Sequence, residues 1–153
     1  GKTLSSDVES VFLPMTLDLG SHRELWLKKG SEPYRPGVDQ IPGTCMEYTM
    51  SDNGLAFVGE AGSALLASRD VPLFYFGEMR HHPIRLCDNQ PQNNRRPVYS
   101  WVMNNTWETN FKMDLSGFSE FSYTLWRSEE TDPKKAVAEL DERCFDPWAL
   151  IVE

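Results

Sequence analysis

The sequence predicts an all-β fold, an antiparallel β-sandwich with one α-helix near the C-terminus. Short apolar runs recur along the chain and are separated by turn residues. These runs do not alternate with helical segments, as the strands of a parallel sheet would. One late segment has helical periodicity instead. The length of 153 residues fits a single domain, so we expect residues 1–153 to form one.

Most predicted strands lie in the first half of the chain, at residues 11–19, 24–28, 44–50, 54–60, 63–69 and 71–79. Pro14 interrupts the first of these, and because proline cannot donate to a ladder, it predicts an edge strand or a bulge. The SDNG sequence at 51–54 predicts a hairpin turn, since asparagine and glycine tolerate positive φ. Residues 28–43 contain three prolines and are predicted to be a loop.

The second half of the chain contains the predicted helix and the remaining strands, at residues 83–87, 99–103, 118–126 and 148–153. A polar loop is predicted at 88–97. Thr131 or Asp132 can cap the helix, and Pro133 suits its first turn, which predicts a helix over about 133–143. Its apolar stripe, expected to pack on a sheet, consists of Ala136, Val137, Leu140 and Cys144.

The composition excludes several classes of partner. A net charge of −8 argues against nucleic acid and against an anionic membrane surface. The sequence has no apolar run long enough to span a membrane, and GKTLSSDVES is not expected to be a signal peptide. Cys45, Cys87 and Cys144 are spread along the chain, which indicates free thiols in a reducing, cytoplasmic compartment. One disulfide with one remaining thiol is the alternative.

A search for catalytic or metal-binding motifs finds none. His81 and His82 are adjacent, so on a strand they would point to opposite faces and would not chelate together. No H-E-x-x-H, G-x-S-x-G or phosphate-binding loop occurs. Four acids are of the type that could hydrolyse a glycoside in pairs, but acids on strand faces are usually solvated: Glu60, Glu78, Glu108 and Glu120.

The stretch YSWVMNNTWETNF at 99–111 combines aromatic and amide side chains. Alternation places three of them on one face: Tyr99, Trp101 and Met103. Asn104 and Asn105 then predict a turn, because asparagine bonds local backbone. Two interpretations remain open. The turn is a structural corner with Trp107 in the core, or its amides bond a sugar hydroxyl.

The same stretch resembles the late C-terminal β-region of family-38 glycoside hydrolases, the retaining α-mannosidases, whose bacterial members carry a similar asparagine pair, tryptophan and Thr-Asn. Further similar segments follow in the same order, so that the resemblance runs from about residue 33 to the end: residues 39–45, 53–57, 65–74 and 132–150. It implies that Trp101, Trp107 and Asn110 are structural residues of this motif. It leaves Asn104 and Asn105 as the residues expected to approach the substrate.

The resemblance implies an accessory C-terminal domain of a larger enzyme. The catalytic domain of the same chain and its mannoside substrate would be the partners. Zinc and the nucleophilic aspartate belong to that catalytic domain, so no catalytic residue, metal ligand or cofactor is expected in this segment. The alternative is a free-standing carbohydrate-binding β-sandwich. An accessory domain should also expose an apolar patch, expected at Phe12, Leu13, Met15 and Trp26.

Overall fold

The computed structural model describes residues 9–15, 17, 23–79, 90–94, 96–105 and 116–144. Within these ranges the chain forms two antiparallel sheets and one helix, which confirms the predicted β-sandwich with a late helix. The strands predicted at 83–87 and 148–153 lie outside the described residues. In chain order, the elements are β1 (Ser10–Pro14), β2 (Glu24–Lys28), β3 (Pro33–Tyr34), β4 (Tyr48–Met50), β5 (Gly54–Gly59), β6 (Gly62–Ser68), β7 (Leu73–Phe76), β8 (Val98–Asn104), β9 (Tyr123–Ser128) and α1 (Pro133–Cys144).

The smaller sheet has four strands in the order β1-β8-β7-β4. β1 lies at the edge of this sheet, as Pro14 predicts. Proline has no backbone N–H to donate, and an edge strand has one side on which no hydrogen bond is needed. The register pairs Pro14 with Tyr99 and then shifts between Val11 and Phe12, which is a β-bulge or irregularity. The two edge strands of this sheet, β1 and β4, are separated along the chain by β2 and β3, which belong to the other sheet.

The larger sheet has five strands in the order β3-β2-β5-β6-β9. β5 and β6 form its central hairpin, with Gly59 opposite Gly62 at the turn. Nearly every residue of these two strands is buried, because one face of the sheet packs on the smaller sheet and the other on α1. They are the most enclosed elements of the described fold.

The space between the sheets holds the main core, which consists of Leu25, Leu27, Leu55, Phe57, Ala64, Leu66, Phe74, Phe76 and Val98. Phe57 of the larger sheet and Phe74 of the smaller sheet both belong to it and are fully buried. One polar bridge crosses this core, where the hydroxyls of Ser100 and Tyr123 are 2.8 Å apart. The buried hydroxyl of Ser100 therefore has a partner in the half-buried Tyr123, as burial requires.

The helix α1 covers the other face of the larger sheet. Its predicted stripe of Ala136, Val137, Leu140 and Cys144 packs on Ala56, Val58, Leu65 and Ala67. Asp132 caps the helix, since its Oδ1 accepts hydrogen bonds from the backbone N–H groups of Lys134 and Lys135 at 2.9 and 3.2 Å. Near the other end of the helix, Asp141 accepts hydrogen bonds from Lys28 and Asn53. Both ends of α1 are thus fixed.

Glu139 joins the middle of the helix to β9. Its carboxylate accepts hydrogen bonds from the Trp126 indole N–H at 2.9 Å and from the Ser128 hydroxyl at 2.5 Å. It also pairs with Arg143 at 3.1 Å. The bond from Ser128 first, then that from Trp126, and also the charge of Arg143 hold the pKa of Glu139 below its usual range.

This lowered pKa predicts an acid-sensitive contact between the helix and β9. A carboxyl group whose pKa is lower in the folded state stabilises the protein above its unfolded pKa, and that stability is lost as the pH falls through the folded pKa. We therefore expect Glu139→Gln to lower the free energy of unfolding at pH 7. Between pH 7 and pH 3 the variant should also lose less unfolding free energy than the original chain does. Urea titrations at pH 7 and at pH 3 measure both. Glu142→Gln, which removes an exposed carboxylate from the same helix, is the matched control and should change the free energy of unfolding at pH 7 by less than about 0.5 kcal/mol.

Several predicted boundaries are wrong. The strand predicted at 44–50 is restricted to β4, because side chains take the backbone carbonyls that a ladder would use: Gln40 donates to Cys45 O and Arg96 to Met46 O. The strand predicted at 118–126 starts only at Tyr123. The proline-rich loop contains the short strand β3, which Pro33 permits because β3 lies at the edge of its sheet.

Candidate functional site

An aromatic cluster occupies the outer face of the smaller sheet. Its members, which together we call the aromatic face, are Phe12, Tyr48, Tyr75, Tyr99 and Trp101. They share a face because side chains alternate along a strand: Phe74, Phe76 and Val98 point into the sandwich, so their neighbours point out. The sheet register then brings together aromatic residues from all four strands.

The sheet register brings most of these rings next to one another. Tyr75 on β7 is paired with Tyr99 on one side and with Tyr48 on the other. Phe12 on β1 is paired with Trp101, and their rings stack at 5.0 Å with an interplanar angle of 26°. Tyr48 and Tyr75 contact the Trp101 ring edge-on, at angles of 80° and 90°. Such pairs each stabilise the sheet by about 0.5–1.5 kcal/mol beyond area burial.

The aromatic face has no cover among the described helix and strands, none of which packs on it. Its rings differ in exposure: Tyr75 is only 7% exposed, whereas Phe12, Tyr48, Tyr99 and Trp101 are half-buried. The indole N–H of Trp101 is buried and has no hydrogen-bond acceptor among the described residues. Burial, as the largest cause, raises the pKa of Tyr48, so its phenol is neutral at physiological pH.

Apolar residues extend the aromatic face at its margins. Met50 lies two residues after Tyr48 on the same strand, is paired with Leu73 and is 49% exposed. The patch expected from the sequence is present only in part. Leu13 is 37% exposed, but Phe12 and Trp26 are half-buried and Met15 packs against the main core. Other exposed apolar side chains, such as Leu125 on β9, lie away from this face, so the expected patch is not the only exposed apolar surface of the described residues.

The two candidate asparagines lie at the end of β8 beside this face. Asn105 is 5% exposed, its side-chain oxygen accepts a hydrogen bond from the Glu9 backbone N–H, and its own N–H donates to Glu9 O at 3.0 Å. Asn104 is half-buried, and its Oδ1 is 3.5 Å from the Ser10 hydroxyl. The turn predicted at Asn104 is therefore wrong, because β8 continues through this residue. Their approach to a substrate stays a prediction.

Of the other residues that the sequence singled out, some lie in the described ranges and some do not. Trp107, Asn110, Glu108, His81, His82 and Cys87 lie outside the described residues. Glu60, Glu78 and Glu120 are exposed. Cys45 and Cys144 are free thiols, and burial raises the pKa of Cys144, which lowers its reactivity.

Two searches of the described ranges give negative results. No group of three or more His, Cys, Asp or Glu side chains there could hold a metal ion. No helix there is long and apolar enough to cross a membrane. The candidate site in this part of the chain is the aromatic face, with Asn104 and Asn105 beside it. No protein family, curated protein or solved structure matches the chain.

Proposed function

We propose that this chain is an accessory domain of a zinc-dependent retaining α-mannosidase and that it packs on the catalytic domain through the aromatic face. The resemblance of residues 99–111 and of the segments in the same order supports the enzyme family, and one structural observation supports the packing surface. Both inner sheet faces and the helix side of the larger sheet are covered, but the aromatic face has no cover among the described elements. Aromatic residues and methionine are enriched at the cores of protein interfaces, and an apolar face that stays partly exposed, as this one does at Met50, is typical of a contact surface.

The arrangement of the rings favours a packing surface over a sugar-binding platform. A sugar stacks on an accessible ring face, but the largest ring here is enclosed: Phe12 stacks on Trp101, and Tyr48 and Tyr75 contact it edge-on. A neighbouring domain requires no open ring, only an apolar surface of matching shape. A free-standing carbohydrate-binding module is therefore the second candidate. The observation in its favour is that four rings of the aromatic face are still partly exposed.

In the proposed enzyme, this domain would support chemistry that takes place elsewhere. One carboxylate of the catalytic domain attacks the anomeric carbon and another protonates the leaving oxygen, with zinc as the expected cofactor. The contribution of the present chain would be to bury the apolar surface that it shares with the catalytic domain. Asn104 and Asn105 lie beside this surface, which is where an amide that reaches the substrate cleft would be expected.

The proposal is tested on the complete gene and on the complete protein. We expect an upstream region that encodes a zinc-binding catalytic domain, and zinc-dependent hydrolysis of an aryl α-mannoside by the complete protein. Residues 1–153 alone should not hydrolyse it, with or without added zinc. A complete protein that lacks such a domain or such activity would refute the proposal. Saturable binding of methyl α-mannoside to the isolated chain would favour the carbohydrate-binding module.

Met50→Lys tests the aromatic face as the surface that packs on the catalytic domain. Met50 is 49% exposed in this chain, so a lysine there should change the stability of the isolated domain by less than about 0.5 kcal/mol. In the complete protein it would bury a charge at the interface, so we expect a lower melting temperature and faster proteolysis between the domains.

The matched control for this substitution is Phe118→Lys. Phe118 is 81% exposed and does not belong to the aromatic face, so the control adds the same charge elsewhere. It should leave the complete protein unchanged. Equal effects of the two substitutions would count against the aromatic face as the interface.

A further inference from the structure

The edge of the larger sheet at β9 differs from the other sheet edges of the described fold. Among the described strands, the two sheets have four edges, formed by β1, β4, β3 and β9. β1 carries Pro14 and a shift in register, β3 has only two residues and begins with Pro33, and β4 has only three residues. Proline, an irregular register and shortness all prevent an edge strand from pairing with another chain. These three edges are therefore protected.

The strand β9 has none of these protective features. It spans six residues without a proline, and its register with β6 is regular from Tyr123 to Ser128. Thr124, Leu125 and Arg127 are exposed. The backbone N–H and C=O groups on its outer side have no strand to pair with among the described residues. Such an edge is a template for one more strand.

A row of leucine side chains ends at this edge. Leu55 is paired with Leu66, and Leu66 is paired with Leu125. Because residues paired across a ladder share a face, all three lie on the side of the sheet that forms the main core. Leu55 is fully buried and Leu66 is 5% exposed, whereas Leu125 is 55% exposed. The apolar row thus runs out to the sheet edge, where its last member is uncovered.

The sequence of β9 complements itself when two copies run antiparallel. Paired residues share a face, so a symmetric pairing must be centred on a residue that lies opposite itself. Centres on Leu125 or Trp126, in the middle of the strand, pair nearly all of it, and any other centre pairs less. Each of these two centres predicts different neighbours for Leu125.

The centre on Leu125 gives the better neighbours. It places Leu125 against its own counterpart, Arg127 against Tyr123 and Trp126 against Thr124. An aliphatic pair, a guanidinium beside an aromatic ring and an aromatic ring beside a β-branched side chain are all favourable across strands. The centre on Trp126 would instead place the exposed leucine against the charged Arg127.

We propose that β9 pairs with β9 of a second copy of this chain, antiparallel and centred on Leu125, so that the two larger sheets join into one continuous sheet. The pairing gives partners to the outer backbone groups of both copies, as in other cases of strand addition. It also continues the leucine row from one core to the other. The two-fold symmetry closes the contact, so that association stops at a dimer. The contact leaves the aromatic face free and does not depend on the α-mannosidase proposal.

Sedimentation of the 153-residue chain tests the association. A contact between two single strands is smaller than a standard interface, so between about 1 and 500 µM we expect a monomer–dimer equilibrium with a dissociation constant of roughly 10–100 µM. Leu125→Lys, at an exposed position, should keep the fold. It should weaken the dimer at least about tenfold, because it places two ammonium groups against each other.

The matched control for this substitution is Ile41→Lys. Ile41 is 74% exposed and lies in the loop before β4, away from β9, so the control adds the same charge elsewhere. It should leave the dissociation constant unchanged. A chain that stays monomeric at the highest concentration, or a dimer that the two substitutions affect equally, would overturn the proposal.

Leu125→Cys tests the register by a second measurement. In the proposed pairing the two introduced thiols lie directly opposite each other, with Cα atoms about 4.5–5.5 Å apart, which a disulfide can bridge. Oxidation with oxidised glutathione should therefore give a covalent dimer on a non-reducing gel. Thr124→Cys is the control, because its two thiols would be offset along the strands, with Cα atoms roughly 7–8 Å apart and out of disulfide reach. The original chain, treated in the same way, measures the background from its own cysteines.

Two results of the cross-linking would refute the pairing. Equal cross-linking of the Leu125→Cys and Thr124→Cys variants would show that the strands do not pair about Leu125. A strand of a different protein at this edge would leave the purified chain monomeric and without cross-links, and would rule out a second copy as the occupant.

Discussion

Gly54→Ala is expected to destabilise the domain by about 3 kcal/mol or more. Gly54 begins β5 with a φ of 135°, in the region that residues with a Cβ rarely adopt. A Cβ at this position would lie 2.0 Å from the backbone oxygen of Leu66 on the neighbouring strand. The backbone strain costs roughly 1–3 kcal/mol and the steric overlap roughly 1–3 kcal/mol more. The central hairpin must open to relieve it.

Gly30→Ala separates the two causes. Gly30 has a similar positive φ of 85°, but a Cβ there would meet nothing within 4 Å. We therefore expect Gly30→Ala to lower the free energy of unfolding only by the cost of the backbone conformation, about 1–2 kcal/mol. Urea unfolding of both variants, followed by tryptophan fluorescence, measures the difference. Equal losses would mean that the close approach of Leu66 to Gly54 has no energetic consequence.

The elements that local patterns specify are those that the sequence predicts best. ELWLK alternates strictly and forms β2 over the predicted residues. The helix ends one residue from its expected limit, because its cap, its first-turn proline and its apolar stripe are all local signals. Both of these features depend on residues only a few positions apart. The hairpin predicted at SDNG is wrong, because the strands on either side of it, β4 and β5, lie in different sheets. The segment instead connects the two sheets, and the Ser51 hydroxyl donates to Gly54 O at 2.5 Å.

The boundaries that the sequence misses depend on distant partners. β4 is short because the Arg96 side chain, far along the chain, takes the Met46 carbonyl. β3 exists only because β2 offers a partner to Pro33 and Tyr34. A periodic pattern contains no information about either contact, so both strands were predicted incorrectly.

The same distinction applies to the aromatic face. Alternation along β8 predicts that Tyr99 and Trp101 share a face, and they do. The full aromatic face also requires the register that pairs Phe12 with Trp101, which only the folded sheet reveals.

Phe57→Ala is the second substitution for which we expect a large loss, about 3–5 kcal/mol of unfolding free energy. Phe57 lies in the middle of β5, is fully buried between the sheets and belongs to the main core with Phe74 of the facing sheet. Truncation leaves a cavity that the strands cannot close, because β5 is held by ladders on both sides. The matched control is Phe118→Ala, at a position 81% exposed, where the same truncation should cost less than about 0.5 kcal/mol.

The consequence of this loss for the proposed contact surface can be measured as well. The aromatic face is formed by strands whose other side packs on the core around Phe57, so loosening that core should disturb its ring contacts before the domain unfolds. Near-ultraviolet circular dichroism, which depends on how aromatic side chains are packed, should therefore weaken at denaturant concentrations that leave the far-ultraviolet signal intact. Two results would show that the packing of the smaller sheet does not depend on the Phe57 ring. One is a loss of unfolding free energy below about 1 kcal/mol, and the other is a near-ultraviolet signal that disappears together with the far-ultraviolet signal.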